Sequence, residues 1–166
     1  MRAQIYRAVG VFILLALGMI GCREAAPPMT ALRIHPPVAG HELWLASHYK
    51  AETREHGWLI TPASGAHESR DLIQIAVDII AGPAPDAGST ERVGARRLRR
   101  LVETSEGGSS GEAVTLTYVE ALGPAASVRY RQMRFADGLA PSFELDELIR
   151  RQGLSVAKPA SDPTPF

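Results

Sequence analysis

Ala113–Phe135 reads AVTLTYVEALGPAASVRYRQMRF, and its alternation sets the fold class. Val114, Leu116, Tyr118 and Leu122 alternate with Thr115, Thr117 and Val119, a period of two that predicts a strand over Ala113–Leu122. Ser127–Phe135 alternates less cleanly and carries Arg129, Arg131 and Arg134. Gly123-Pro124-Ala125-Ala126 supplies turn residues between them, so the two segments read as an antiparallel hairpin.

Working outward, Asp71–Ala81 is the clearest strand, with Ile73, Ile75, Val77 and Ile79 on one face, and it belongs at or near the centre of the sheet. Glu91–Glu103 fits a helix through Leu98, Leu101 and Val102. It fits a strand better, because Ser105–Gly111 is a ready connection to Ala113–Leu122. His41–Lys50 and Gly57–Pro62 each hold a tryptophan and read as short strands or irregular segments touching the core. One helix is marked near the C-terminus: Ser142 as cap, Glu144, Asp146 and Glu147 in the first turns, Arg150 and Arg151 in the last, and Gly153 as the C′ residue. Phe143, Leu145, Leu148 and Ile149 give it an apolar stripe. The expected fold is α+β: an antiparallel sheet with the C-terminal helix packed on one face, in a single small domain.

Composition agrees with one domain. The chain has 166 residues, 45% apolar and 22% charged, which suffices for a buried core and excludes a disordered or fibrous chain. Lys plus Arg and Asp plus Glu are 18 each, so the basic excess of a nucleic-acid binder is missing. A single cysteine excludes an internal disulfide and a zinc site built on several cysteines.

That cysteine carries an address. Arg2 and Arg7 form a positive n-region, and an apolar run to Gly21 precedes Cys22. As a helix, the 14 residues from Ala8 to Gly21 would reach about 21 Å, short of a hydrocarbon core of about 30 Å. Met19-Ile20-Gly21-Cys22 resembles the lipobox of bacterial lipoproteins, with Met19 and Ile20 departing from its commonest residues. The resemblance implies a signal peptide over 1–21, cleavage after Gly21 and lipid on Cys22. Arg23 stands where an inner-membrane retention signal would place Asp, so the implied location is the periplasmic face of the outer membrane. Several acyl chains make such an anchor effectively stable. The mature chain would carry 16 basic against 18 acidic residues, since residues 1–21 hold two arginines and no acid. Residues 22–40, with four prolines, read as an extended tether, 41–154 as the globular part and 155–166 as a flexible tail.

Few patterns carry chemistry. Gly107-Gly108-Ser109-Ser110-Gly111 fits the G-x-S-x-G form of a nucleophile elbow, but a strand rather than a helix follows it and every histidine precedes it. A Ser/Gly loop between strands explains it better. His41, His48 and His56 lack the spacing of a helical metal site. Glu103, Glu106 and Glu112 resemble any acidic loop, and a calcium site built from such oxygens stays open. No catalytic residue, metal or cofactor is expected.

Arg96, Arg97, Arg99 and Arg100 are the strongest unexplained feature, with Arg92 nearby. On a strand, Arg96 and Arg100 share one face with Leu98, and Arg97 and Arg99 share the other with Leu101, which argues against burial of either face. One reading is a solvated edge strand whose charges deter edge pairing. The other is a docking site for an acidic protein partner or anionic envelope component, extended by Arg129, Arg131 and Arg134. Glu106 and Glu112 join the candidate partner-binding set by loop position. Trp44 and Trp58 are either core aromatics or exposed anchors.

ARRLRRLVETSEGGSSGEAVTLTYVEAL, RYRQMRF and PSFELDELIR, in that order, resemble small periplasmic immunity lipoproteins that neutralise a cell-wall-degrading effector delivered by type VI secretion. The resemblance covers under half of the chain. It implies a single α+β domain that plugs an effector's active-site cleft without catalysis of its own. The expected function is therefore a lipid-anchored protein-binding module, with toxin immunity as its most concrete form. The alternative is a structural or assembly lipoprotein of a secretion or conjugation complex.

Overall fold

The computed structural model describes residues 29–33, 41–63, 74–106, 111–136, 138 and 140–157. In chain order these form β1 (Met29–Arg33), β2 (Glu42–Ala46), β3 (Tyr49–Arg54), β4 (Gly57–Pro62), β5 (Ile75–Ala81), β6 (Ser89–Val93), β7 (Arg96–Glu106), β8 (Glu112–Ala121), β9 (Ala126–Phe135), helix α1 (Glu144–Arg150) and β10 (Leu154–Ala157). The expected hairpin is β8–β9, antiparallel with Tyr118 opposite Tyr130. It lies inside a seven-stranded antiparallel sheet of order β3-β4-β5-β9-β8-β7-β6. β5 is an interior strand, with Ile75, Val77 and Ile79 buried on one face, and the less regular β9 is the middle strand.

The molecule is thus a sheet-dominated single small domain, with one short helix among the described residues. Instead of one sheet there are two, because β1 and β10 pair with either side of β2 in a second, three-stranded antiparallel sheet. β1 falls within the segment read as a tether, and β10 takes the first residues of the segment read as a tail. Inward-facing Leu43 and Leu45 of β2 and Leu154 and Val156 of β10 tie this small sheet to the core. The segment 1–21, Gly21 and Cys22 lie outside the described residues, as does Ser109.

Glu91–Glu103 is not one strand. Val93 and Arg96 pair across a two-residue turn, Gly94-Ala95, with Gly94 at φ +60° and Ala95 outside the positive-φ region. Glycine at the first turn position is what a type II′ hairpin requires. β7 is consequently an interior strand between β6 and β8, and the edge belongs to the short β6.

Helix α1 starts and stops differently from its sequence pattern. Its N-cap is Phe143, without a side-chain cap, instead of Ser142. The orphan amide of Leu145 donates instead to Gln132 Oε1 of β9 at 2.9 Å, and Gln132 Nε2 donates to Glu144 Oε2 at 2.6 Å. At the other end Gln152, at φ 55°, occupies the left-handed C′ position expected for Gly153. The amides of Gln152 and Gly153 bond to the carbonyls of Ile149 and Leu148, the paired bonds of a Schellman motif.

Leu145, Leu148 and Ile149 of α1 join Leu43, Leu45, Trp58, Ile60, Val77, Leu98, Leu116, Tyr130 and Leu154 in one buried cluster. Gly57 allows β4 and β5 to approach: a Cβ there would lie 1.8 Å from the Val77 carbonyl oxygen.

Candidate partner-binding face

Strand alternation divides the arginines between two environments. Register places Arg96, Leu98 and Arg100 of β7 on the core side with Glu120 and Tyr118 of β8, and Val128, Tyr130 and Arg134 of β9. It places Arg97, Arg99, Val119, Arg129 and Arg131 on the opposite, open face.

On the core side every arginine has an acid. Arg96 Nη2 donates to Glu120 Oε2 at 2.5 Å and to the Tyr130 hydroxyl at 2.9 Å, while Arg96 Nη1 donates to the Leu154 carbonyl at 2.7 Å. Only about a sixth of either ionic side chain is exposed, 16% for Arg96 and 15% for Glu120. Burial acts to lower the Arg96 pKa, but Glu120 and Tyr130 outweigh it and hold the guanidinium above its ordinary value. The Tyr130 hydroxyl also accepts from the Val156 amide at 3.1 Å. Burial pushes its pKa up, Arg96 opposes this, and Glu120 adds to it.

A second inner cluster joins β6, β7, β8 and α1. The Tyr118 hydroxyl donates to Asp146 Oδ1 at 2.6 Å and lies 3.2 Å from Glu91 Oε2. Arg100 lies 3.6 Å from Glu91, and Arg150 bridges Glu91 and Asp146 at 3.4 and 3.3 Å. Burial, then Asp146, raises the Tyr118 pKa. Arg134 pairs with Glu144. Arg96, Arg100 and Arg134 are therefore committed inside the fold, which removes Arg96 and Arg100 from the candidate partner-binding set.

The open face differs. One row across it reads Thr90, Arg99, Val119, Arg129, Asp78. Arg99 donates to Thr90 Oγ1 at 2.8 Å and reaches Asp86 at 3.4 Å, and Arg129 donates to Asp78 at 2.9 Å. Val119, between them in this row, is only 3% exposed. Arg97 and Arg131 are exposed, and neither side chain has a hydrogen-bond or ionic partner among the described residues; Arg92, opposite Arg97, is exposed too and donates only to the Gly94 carbonyl at 3.4 Å. A cleft of about 260 Å³ opens beside Arg97 and Arg99, walled by Pro83, Ala84, Val119 and Ala121. Further along the outward row of β9, beyond Arg129 and Arg131, Met133 and Phe135 are exposed at 55% and 45%.

The other expected site residues are scattered. Glu106 and Glu112 are exposed and directly opposite each other at the β7–β8 turn, about 23 Å along the strand from Arg99 at 3.3 Å per residue. They do not share a site with the arginines. Trp58 is buried and Trp44 is exposed on β2, so the two tryptophans divide between core and surface. The His48 ring lies tilted by 45° against Tyr49 and His56 sits beside Glu55, at opposite ends of β3. Among the described residues no group of three or more His, Cys, Asp or Glu could hold a metal ion. Sequence reading missed Glu120, Tyr130 and Gln132. Their signal was present as polar residues on the inward phase of otherwise apolar strands.

The seven-stranded sheet, with the small second sheet and a short helix, defines a sheet-dominated domain of limited size. No family model matches the chain, and no curated protein matches it. Among solved structures it is similar to a protein from Bacteroides thetaiotaomicron VPI-5482, at 10% identity and a TM-score of 0.52, over 78% of this chain and 49% of that one. The chain thus spans about half the length of that protein. At such identity the likeness is one of fold alone.

Proposed function

We propose that this chain is a lipid-anchored protein-binding module, held on the periplasmic face of the outer membrane through Cys22, that acts by binding rather than by catalysis. In its most concrete form it is an immunity protein that neutralises a secreted cell-wall-degrading effector. The domain is read as α+β, with α1 packed on one face of the large sheet and the other face left for the partner. The observation that supports this best is the pair of arginine side chains, Arg97 and Arg131, on that open face without a partner among the described residues. Arginine is enriched at interface hot spots because its planar fork binds carboxylates bidentately.

The test is affinity purification of the lipidated, tagged chain from gently solubilised envelopes, followed by a high-salt wash and mass spectrometry. The expected result is one small secreted enzyme at near-equal amount, with self-intoxication when the chain is deleted. Recovery of a large membrane assembly instead, with loss of that assembly on deletion, would replace immunity by a structural role.

A further inference from the structure

Resting on the protein-binding reading, we infer that the partner presents an acidic segment that lies across the open face of the seven-stranded sheet, with carboxylates on Arg97 and Arg131 and an apolar side chain in the cleft beside β7. Charge complementarity sets the chemistry. Arg97, Arg99, Arg129 and Arg131 face outward here, and Asp78 and Asp86 satisfy only Arg129 and Arg99. Among the described residues Arg97 and Arg131 have no acidic partner, and Arg92, directly opposite Arg97 on the same face, reaches only the Gly94 carbonyl at 3.4 Å, so this face carries positive charge that no described carboxylate neutralises.

Their spacing fits an extended segment. Arg131 stands directly opposite Thr117 of β8, and Arg97 lies on the outward face of β7, the strand beyond β8. Adjacent strands are about 4.8 Å apart and successive outward residues about 6.6 Å, so the two guanidiniums mark the ends of a diagonal across Val119. The cleft at the Arg97 end has Pro83, Ala84, Leu98, Val119 and Ala121 as apolar wall and Asp86, Thr90, Arg97 and Arg99 as its polar part, so an apolar side chain can enter it while a carboxylate beside it meets Arg97. Such a recess, together with bidentate donors, favours a protein segment over a lipid surface, which offers headgroups but no inserted side chain.

Two probes test this on the full lipidated chain in detergent: a soluble peptide alternating Glu and Leu, and its Lys-Leu counterpart. The Glu-Leu peptide is expected to bind, the Lys-Leu peptide is not, and the double variant Arg97→Glu/Arg131→Glu should weaken binding by more than about tenfold. Arg151→Glu, at the C-cap of α1 and outside the large sheet, should leave it unchanged. Equal loss in Arg151→Glu would reduce the effect to general charge attraction and overturn the assignment. A stoichiometric envelope partner retained by the double variant would sink this surface while the protein-binding reading stands. Binding of phosphatidylglycerol vesicles with no response to the peptide would assign the face to membrane. Absence of any stoichiometric protein partner from the wild-type chain would sink the broader reading itself. Unchanged thermal unfolding of the double variant separates a lost surface from a lost fold.

Discussion

Glu120 illustrates how one residue decides whether an arginine is structural. It sits on the inward phase of β8, where Leu116 and Tyr118 are fully buried, and it accepts from Arg96 at the junction with β10. Removing one partner of a largely buried pair leaves the other charge uncompensated, whereas removing both does not. Glu120→Gln is expected to destabilise the fold by about 3 kcal/mol, and Arg96→Met/Glu120→Leu by less than the single change, as measured by urea unfolding. A double variant at the sum of the two single losses would mean the pair is not coupled. Tyr130 in the same cluster sets the alkaline limit. Its folded-state pKa is raised above the unfolded value of about 10 by burial, so the native state keeps a proton that the unfolded chain releases. The associated stability is complete below about pH 10 and falls as pH rises towards the folded-state value, by about 1.4 kcal/mol per pH unit for one tyrosine. Tyr118 and Tyr49 shift the same way, both chiefly through burial. Tyr130→Phe should be less stable at neutral pH yet lose stability less steeply above pH 10, and a slope equal to that of the wild type would refute the assignment.

The same contrast between local pattern and remote partner recurs in the elements. β5, β8 and β9 were legible because alternation over seven to ten residues reports a half-buried surface directly. The two phases of β7 were legible too, since Arg96 and Arg100 follow one and Arg97 and Arg99 the other, but the expectation that neither face is buried failed: Leu98 on the inner phase is 1% exposed. What could not be read was that the first pair is neutralised: Glu120 is 24 residues from Arg96, and only the β7–β8 register brings them together. β1 and β10 were hidden for a different reason. Each is four or five residues long and lies near prolines, so nothing local distinguishes it from extended linker. Helix α1 shows the same dependence at its start. Ser142 has the chemistry of a cap, but the amide of Leu145 is buried against β9 and takes Gln132 Oε1 instead. Gln132→Met, which keeps the volume and removes the acceptor, should cost about 1–2 kcal/mol. Amide exchange at Leu145 should quicken, while Ser142→Ala should change neither quantity. The reverse ranking of these two variants would restore the local cap.

At the scale of the whole molecule the question is whether the three-stranded sheet opens by itself. Its strands have four or five residues each, and β10 is an outer strand, features that ordinarily permit fraying. Two facts oppose that. Leu43, Leu45, Leu154 and Val156 belong to the same buried cluster as Trp58, Val77 and Tyr130, so separating the sheets would expose the common core. In addition, β10 has backbone groups taken by side chains of the large sheet: Arg96 donates to the Leu154 carbonyl, and the Val156 amide donates to the Tyr130 hydroxyl. These bonds close an edge that would otherwise invite another strand, and they couple β10 to β7 and β9. Native-state hydrogen exchange should therefore find the Val156 amide opening with the same free energy as the Tyr118 amide in β8, as one cooperative unit. In Tyr130→Phe the Val156 amide loses its acceptor and should exchange before β8 does, at denaturant concentrations where the β8–β9 ladder is still protected. If Val156 already exchanges well ahead of Tyr118 in the wild-type protein, the small sheet is a separate opening unit. The ionic link through Arg96 would then decorate the junction between the sheets without holding it closed.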